Sequence, residues 1–208
     1  MIRIALPKGR NLGPTLEAFR AAGVAFEGLD LSGRQLRFHL PDEGFEVLLL
    51  KDWDLPLYVE YGIVDCGVVG TDVLEEAGFD LLAPVRFLEG RCRLSLIGFP
   101  GAMPAPGEQI RLASKYQNLA RRLVASRPWG AEVLKLSGSI ELAPVLDLAE
   151  LALDIVQTGR TLAENGLAEL EVVAEVAPCL VMNRASYQRS REPLNRLINS
   201  LEEAEVVE

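Results

Sequence analysis

The apolar run Leu151-Ala-Leu-Asp-Ile-Val156 leads into Gln157-Thr158-Gly159-Arg160-Thr161 and then a helical stretch. These residue types in this order suit anion binding. A helix that starts at the carboxyl end of a strand presents unpaired backbone N–H groups, and its dipole adds partial positive charge. Together they form a cradle for a phosphate. Gly159 lets the backbone approach an anion closely, and the hydroxyls of Thr158 and Thr161 add donors. Asp154, four residues before Thr158, can accept hydrogen bonds from a ribose diol. The set therefore suits a 5-phosphorylated ribose. The same residues also read as a plain capped helix, with Thr158 as N-cap, Gly159 in a tight turn and Asp154 as a surface charge. Neither Gly-x-Gly-x-x-Gly nor Gly-x4-Gly-Lys-[Ser/Thr] occurs, which disfavours a Rossmann oxidoreductase and a P-loop ATPase.

Other chemistry is sparse. His39 is the only histidine and lies in the alternating stretch Leu36–Leu40, so it reads as a strand residue. The cysteines are Cys66, Cys92 and Cys179; their number is odd and none forms a Cys-x-x-Cys pair. That suggests neither a disulfide framework nor a zinc site, but small buried side chains in a reducing cytosol.

The elements that must position the motif follow from hydrophobic spacing. Strands are expected at Ile2–Leu6, Gln35–Leu40, Phe45–Leu50, Ile63–Val69, Leu81–Leu88 and Arg93–Phe99. A turn is expected at Pro41-Asp-Glu-Gly44. Helices are expected at Leu12–Ala22, at Leu55–Tyr61 with Pro56 in its first turn, and at Thr71–Ala77, capped by Thr71 or Asp72 and closed by Gly78. Pro100–Gly107 has five Pro or Gly in eight residues and reads as a loop. Beyond it come strands Ile110–Ala113, Glu132–Leu136, Leu151–Val156, Val172–Val176 and Cys179–Met182. They are interleaved with helices at Tyr116–Ser126, from Ser139 and from Gly159, and a last helix spans Arg184–Glu203. Such βα alternation predicts an α/β fold with mostly parallel sheets. A two-lobed arrangement would let the chain cross near residues 88–92 and return near 176–180.

The chain has 208 residues, 49% of them hydrophobic, and a net charge of −9. This is enough to bury a core without disulfides or metal. The acidic balance argues against non-specific nucleic-acid or acidic-membrane binding. No apolar run is long enough for a membrane span. The start, Met1–Lys8, reads as a first strand and not as a signal peptide. A cytoplasmic protein is expected.

Ser137-Gly-Ser-Ile-Glu-Leu-Ala-Pro144, Asp154-Ile-Val-Gln-Thr-Gly-Arg-Thr-Leu162 and Asn165-Gly-Leu167 together resemble the signature of ATP phosphoribosyltransferase, the first enzyme of histidine biosynthesis. Other blocks agree in order: Ile4–Arg10, Asp54–Gly62, Asp65–Asp72, Ala113–Tyr116 and Leu180–Asn183. The resemblance implies two α/β lobes like those of type II periplasmic solute-binding proteins, with the site in the interlobe cleft. The expected division is 1–89 plus 178–208 for lobe I and 90–177 for lobe II. The length resembles the short form, a catalytic subunit that works with a regulatory subunit related to histidyl-tRNA synthetase. Self-association as a dimer is also expected.

The implied reaction joins adenine N1 of ATP to C1 of phosphoribosyl pyrophosphate and expels pyrophosphate. It needs positioning and electrostatics more than a nucleophile, with magnesium neutralising the leaving group. In a chain of charge −9 the positive charge must be local. Lys8, Gly9 and Arg10 follow the first strand, where substrate phosphates would be held; a solvated basic turn is the alternative. The implied phosphoribosyl site comprises Asp154, Thr158, Gly159, Arg160 and Thr161. Glu141 would bind ribose hydroxyls or a magnesium-bound water, or would simply favour a helix start. Asp72 is a further candidate contact, or an N-cap. Lys51 stands where the family usually carries arginine, which loses the guanidinium fork. Asp147 and Glu150 replace the family's glycine and aspartate and are expected on an exposed helix face. Trp53, Trp129, Tyr58, Tyr61 and Tyr116 could stack on adenine, although core or lobe-interface packing is the better reading of each. The competing reading of the whole chain is a non-catalytic small-anion-binding domain of the same two-lobe fold.

Overall fold

Ile2–Lys8 forms β1 and Leu12–Ala21 forms α1; Arg37–Leu40 (β2), Phe45–Lys51 (β3), Leu55–Glu60 (α2), Cys66–Gly70 (β4), Thr71–Ala77 (α3) and Leu82–Arg86 (β5) follow. The computed structural model describes residues 1–24, 26, 29, 31, 33–40 and 44–205. The expected turn at Pro41, Asp42 and Glu43 lies outside them. β1 runs parallel to β3 on one side and to β4 on the other, with Ile4 opposite both Val47 and Cys66. Flanked in this way, Ile4, Ala5 and Leu6 are wholly covered, so β1 reads as an unbroken apolar run and not an alternating one.

The second stretch comprises Cys92–Gly98 (β6), Gln109–Ser114 (β7), Gln117–Ala125 (α4), Gly130–Lys135 (β8), Leu142–Val145 (α5), Leu151–Val156 (β9), Arg160–Glu164 (α6) and Ala168–Val176 (β10). Its five-stranded sheet has the order β10-β6-β9-β7-β8. β7 is parallel to β8 and β9, while β6 is antiparallel to β9 and β10. Leu94, Leu96, Leu112, Tyr116, Trp129, Leu151 and Leu153 pack a core on this sheet. The chain then returns through Pro178–Met182 (β11), Arg184–Arg189 (α7) and Arg191–Glu205 (α8). β11 completes a six-stranded sheet of order β2-β3-β1-β4-β11-β5. Both sheets are mixed, each with a parallel three-strand set and antiparallel flanking strands. Two compact units result: Met1–Arg91 with Ala177–Glu208, and Cys92–Val176.

Several elements differ from the expectation. The strand expected from Ile63 starts only at Cys66, and Ile63 is exposed. The helix expected from Ser139 is just Leu142–Val145, because left-handed residues stand near each end: Ser139 at φ 48° and Asp147 at φ 58°. Asp147 is therefore not on an exposed helix face. The family's glycine at that position has a physical reason, since a positive φ suits glycine best and aspartate better than most. The last helix is broken at Ser190. Pro193 has no N–H to offer Arg189, and its ring would crowd that carbonyl, so the ladder stops and restarts. Gly70, not Thr71 or Asp72, is the N-cap of α3, with no side-chain capping bond. Thr71 is occupied otherwise: its hydroxyl accepts from Ala177 N at 3.2 Å.

Within the first unit, Asp65 ties α7 to β1. It is buried and accepts Arg3 N at 2.9 Å and Arg189 Nη2 at 2.8 Å. Burial opposes its charge, but these hydrogen bonds outweigh it and hold the carboxyl below its usual range. A depressed folded-state pKa stabilises above the unfolded value, about 4, and that stability is lost as pH falls through the folded value. Asp65→Asn is therefore expected to lower Tm at pH 7 and to narrow the gap to wild type as the pH drops below about 4. Melting curves at a series of pH values check this.

Candidate functional site

In the second unit the signature residues sit on one strand–turn–helix. Asp154 is the fourth residue of β9, Thr158 lies in the turn, and Gly159 is the N-cap of α6 at φ 73°. That left-handed conformation favours glycine, and a side chain there would strain the turn. Thr158 is not the N-cap; its hydroxyl accepts from Arg160 N at a long 3.4 Å. Thr158, Arg160 and Thr161 are exposed, so their donors face outward at the mouth of the turn. The helix has five residues, so its dipole is short and the local N–H groups and hydroxyls carry most of the attraction for an anion.

Asp154 is half-hidden and faces Lys115, whose Nζ lies 3.3 Å from Oδ1. That oxygen is buried and, despite the short distance, has no partner in hydrogen-bond geometry among the described residues, so the contact is an ion pair. The same ammonium rests 4.8 Å from the Tyr116 ring centroid. Glu141 caps α5 by position, with no side-chain capping bond, and is partly exposed. Glu150, expected on a helix, instead precedes β9 and grips Arg111. It accepts Arg111 N at 2.6 Å and Nη2 at 2.6 Å. These bonds pull its carboxyl down to about 2. This is a structural clasp between β7 and β9.

In the first unit, Lys8 and Lys51 are register partners at the carboxyl ends of β1 and β3. Both are exposed, so two ammonium groups stand side by side where α/β sheets bind ligands. Gly9 has φ 102°, which turns the chain sharply after Lys8. Arg10 Nη2 lies 3.7 Å from Oδ2 of buried Asp72. Asn11 donates to Asp52 Oδ2 at 3.2 Å. Burial pushes the Asp52 carboxyl up to about 6; Arg10 resists this and the Asp72 charge adds to it. A raised carboxyl pKa means that stability is lost as pH rises from about 4 to the folded value near 6. Asp52→Asn is expected to raise Tm at pH 8 more than at pH 5; paired melts at the two values check it.

Of the aromatic side chains, Trp129 and Tyr116 are core residues, as expected from packing. Trp53, Tyr58 and Tyr61 are exposed and so are not core residues: α2 turns only Leu55, Pro56 and Val59 inward, and Trp53 and Tyr61 flank the helix. Lys115, Asn11 and Asp52 were not singled out by spacing. Lys115 lies inside the Ala113–Tyr116 block, but only the fold brings it to Asp154. Among the described residues no group of three or more His, Cys, Asp or Glu could hold a metal ion. No helix among them is long and apolar enough to cross a membrane.

A family model described as ATP phosphoribosyltransferase matches residues 51–203. This chain belongs to the ATP phosphoribosyltransferase family. The ATP phosphoribosyltransferase of Syntrophotalea carbinolica is 41% identical over 206 residues, 97% of this chain and 94% of that one. The ATP phosphoribosyltransferase of Thermus thermophilus is 43% identical over 202 residues, covering 97% and 96%. A solved structure, the ATP phosphoribosyl transferase (HisG:HisZ) complex from Thermotoga maritima, superposes with a TM-score of 0.82 at 32% identity, over 98% of each chain. This member of the ATP phosphoribosyltransferase family has the α/β fold class of the periplasmic solute-binding proteins.

Proposed function

We propose that this chain condenses ATP with 5-phosphoribosyl 1-pyrophosphate to give N1-(5-phosphoribosyl)-ATP and pyrophosphate, the first step of histidine biosynthesis. It is a pentosyltransferase by family. The observation that carries the reading is the near full-length likeness to ATP phosphoribosyltransferases in a chain whose Asp154 and Thr158–Thr161 share one strand–turn–helix.

Adenine N1 bonds to ribosyl C1 as the bond from C1 to pyrophosphate breaks, through a centre with cationic character. Thr158, Gly159, Arg160 and Thr161 hold the 5-phosphate. Asp154 and Glu141 take the ribose hydroxyls, and their carboxylates favour a cationic sugar. Lys8 and Arg10, with Gly9, Lys51 and Asp72 around them, hold ATP or pyrophosphate phosphates. Arg10 offers a fork and Lys8 and Lys51 offer point charges. Asp72 then serves through Arg10, which it anchors.

Polyphosphate substrates imply Mg2+. With no protein cage among the described residues, the ion would travel on the substrate phosphates, and Glu141 would reach a water of its shell. When bound, it neutralises the departing pyrophosphate. A regulatory partner related to histidyl-tRNA synthetase is part of the proposal, supported by the two-component complex of the Thermotoga maritima relative. So are dimerisation, a cytoplasmic location, which three free buried cysteines support, and lobe boundaries near 89–90 and 177–178. The alternative, a non-catalytic anion-binding domain, is disfavoured by the enzyme family.

The test mixes the chain, with and without the regulatory subunit, with ATP, phosphoribosyl pyrophosphate and magnesium. Absorbance of the N1-substituted adenine product is expected. Binding of phosphoribosyl pyrophosphate with no product, even with the partner present, would favour the anion-binding domain.

A further inference from the structure

The ammonium that faces the Asp154 carboxylate does not come from the signature loop. Three observations place it. Ser114, fully buried at the end of β7, donates its hydroxyl to Leu153 O at 2.7 Å and accepts from Tyr116 N at 2.9 Å. The residue between Ser114 and Tyr116 is thereby tied to the backbone just before Asp154. Tyr116 is itself a core residue, so its ring is a fixed platform. On that platform the Lys115 ammonium lies 4.8 Å from the ring centroid and 3.3 Å from Asp154 Oδ1. A long flexible side chain is thus held by a cation–π contact and an ion pair. Oδ1 is the covered oxygen and faces Lys115, while the Asp154 side chain as a whole stays 19% exposed.

We propose that Lys115 is a positioning residue for phosphoribosyl pyrophosphate: it holds the Asp154 carboxylate in one orientation, with Oδ2 toward the sugar hydroxyls. This rests on the reading of Asp154 as the ribose-binding acid. The physical gain is preorganisation. An aspartate free to rotate loses conformational freedom when a diol binds, whereas one already held does not. The ammonium also offsets the repulsion between a carboxylate and an incoming polyanion. Lysine suits the place because a compact ammonium can sit over a ring and face one oxygen, while arginine keeps the charge and stacks well but spreads it over a fork.

The experiment titrates phosphoribosyl pyrophosphate into the full-length protein by calorimetry, for wild type, Lys115→Met, Lys115→Arg, Asp154→Asn and the double variant K115M/D154N. Thermal melts of each confirm folding. Lys115→Met is expected to weaken binding about tenfold or more, the size of one lost charge-assisted contact. Lys115→Arg is expected to recover part of it. In the D154N background, Lys115→Met is expected to add little, because its effect runs through the carboxylate. Additive losses in the double variant, or failure of arginine to improve on methionine, would overturn the proposal. So would unchanged binding in K115M alongside a loss in D154N, which leaves the ribose-site reading intact. Unchanged binding in both single variants would remove the ribose-site reading and the proposal together. A folded K115M whose ATP affinity falls as much as its phosphoribosyl pyrophosphate affinity would show a general effect and also overturn it.

Discussion

Replacing Thr158 and Thr161 together by leucine is expected to abolish phosphoribosyl pyrophosphate binding while the fold persists. The two hydroxyls flank Gly159, whose φ of 73° turns the chain into α6 and opens its first N–H groups outward. Each hydroxyl that meets a phosphate oxygen makes a charge-assisted bond of about 1.5–3 kcal/mol. Losing two corresponds to an affinity loss of at least about a hundredfold, and the leucine side chains also fill the space of the anion. Both threonines are exposed and, among the described residues, their side chains make only the long local contact of Thr158 with Arg160 N, so stability is expected to change by only about 0.5 kcal/mol. Calorimetric titration with phosphoribosyl pyrophosphate and a thermal melt separate the two effects. Retained binding in a folded double variant would show that the phosphate lodges elsewhere.

Asp154→Ala is expected to lower kcat/KM by about 10²- to 10³-fold, the scale of removing one preorganised electrostatic group from a reacting centre. The loss has two sources. On the proposed reading, the ribose diol loses its acceptor and the cationic sugar loses a carboxylate. Lys115 is also left without the carboxylate it faces at 3.3 Å, so a positive charge stands unopposed beside that sugar. Steady-state kinetics with the regulatory subunit present measure the change. A variant within threefold of wild type would take Asp154 out of the site. Because Asp154 is only partly buried, a collapse of Tm is not expected, and the melt distinguishes lost chemistry from lost structure.

Much of the architecture was legible in spacing. β9 matches its expected span, Leu151–Val156, because an apolar run of strand length ends in a turn signal. α2 begins at Leu55 with Pro56 in its first turn, and Gly78 closes α3 at φ 72°. These are local decisions, made by caps, prolines and glycines within a few residues of where they act. What spacing missed was set from a distance. Thr71 is the capping residue type, yet it is claimed by Ala177 N, 106 positions away. Glu150 is helix-friendly, yet Arg111 on β7 holds it in the non-helical connection before β9. The break at Ser190 and the short α5 were exceptions: at Pro193 a local signal was outweighed by the strong apolar periodicity around it, and at Ser139 and Asp147 the left-handed backbone carries no plain signal in residue type.

The candidate site divides in the same way. Order along the chain determined the strand–turn–helix from Asp154 to Thr161, since such a turn is a contiguous object and its glycine, hydroxyls and acid are neighbours in sequence. The groups that meet that acid, and those that gather around Arg10 in the first unit, belong to the tertiary structure. Lys115 meets Asp154 because β7 and β9 lie side by side in parallel register, with Ser114 opposite Leu153. Asp52 and Asp72 gather around Arg10 and Asn11 because β3, β4 and β1 end together. The charge on a carboxylate depends on what surrounds it in space, through burial and nearby ions, and linear order carries no measure of either.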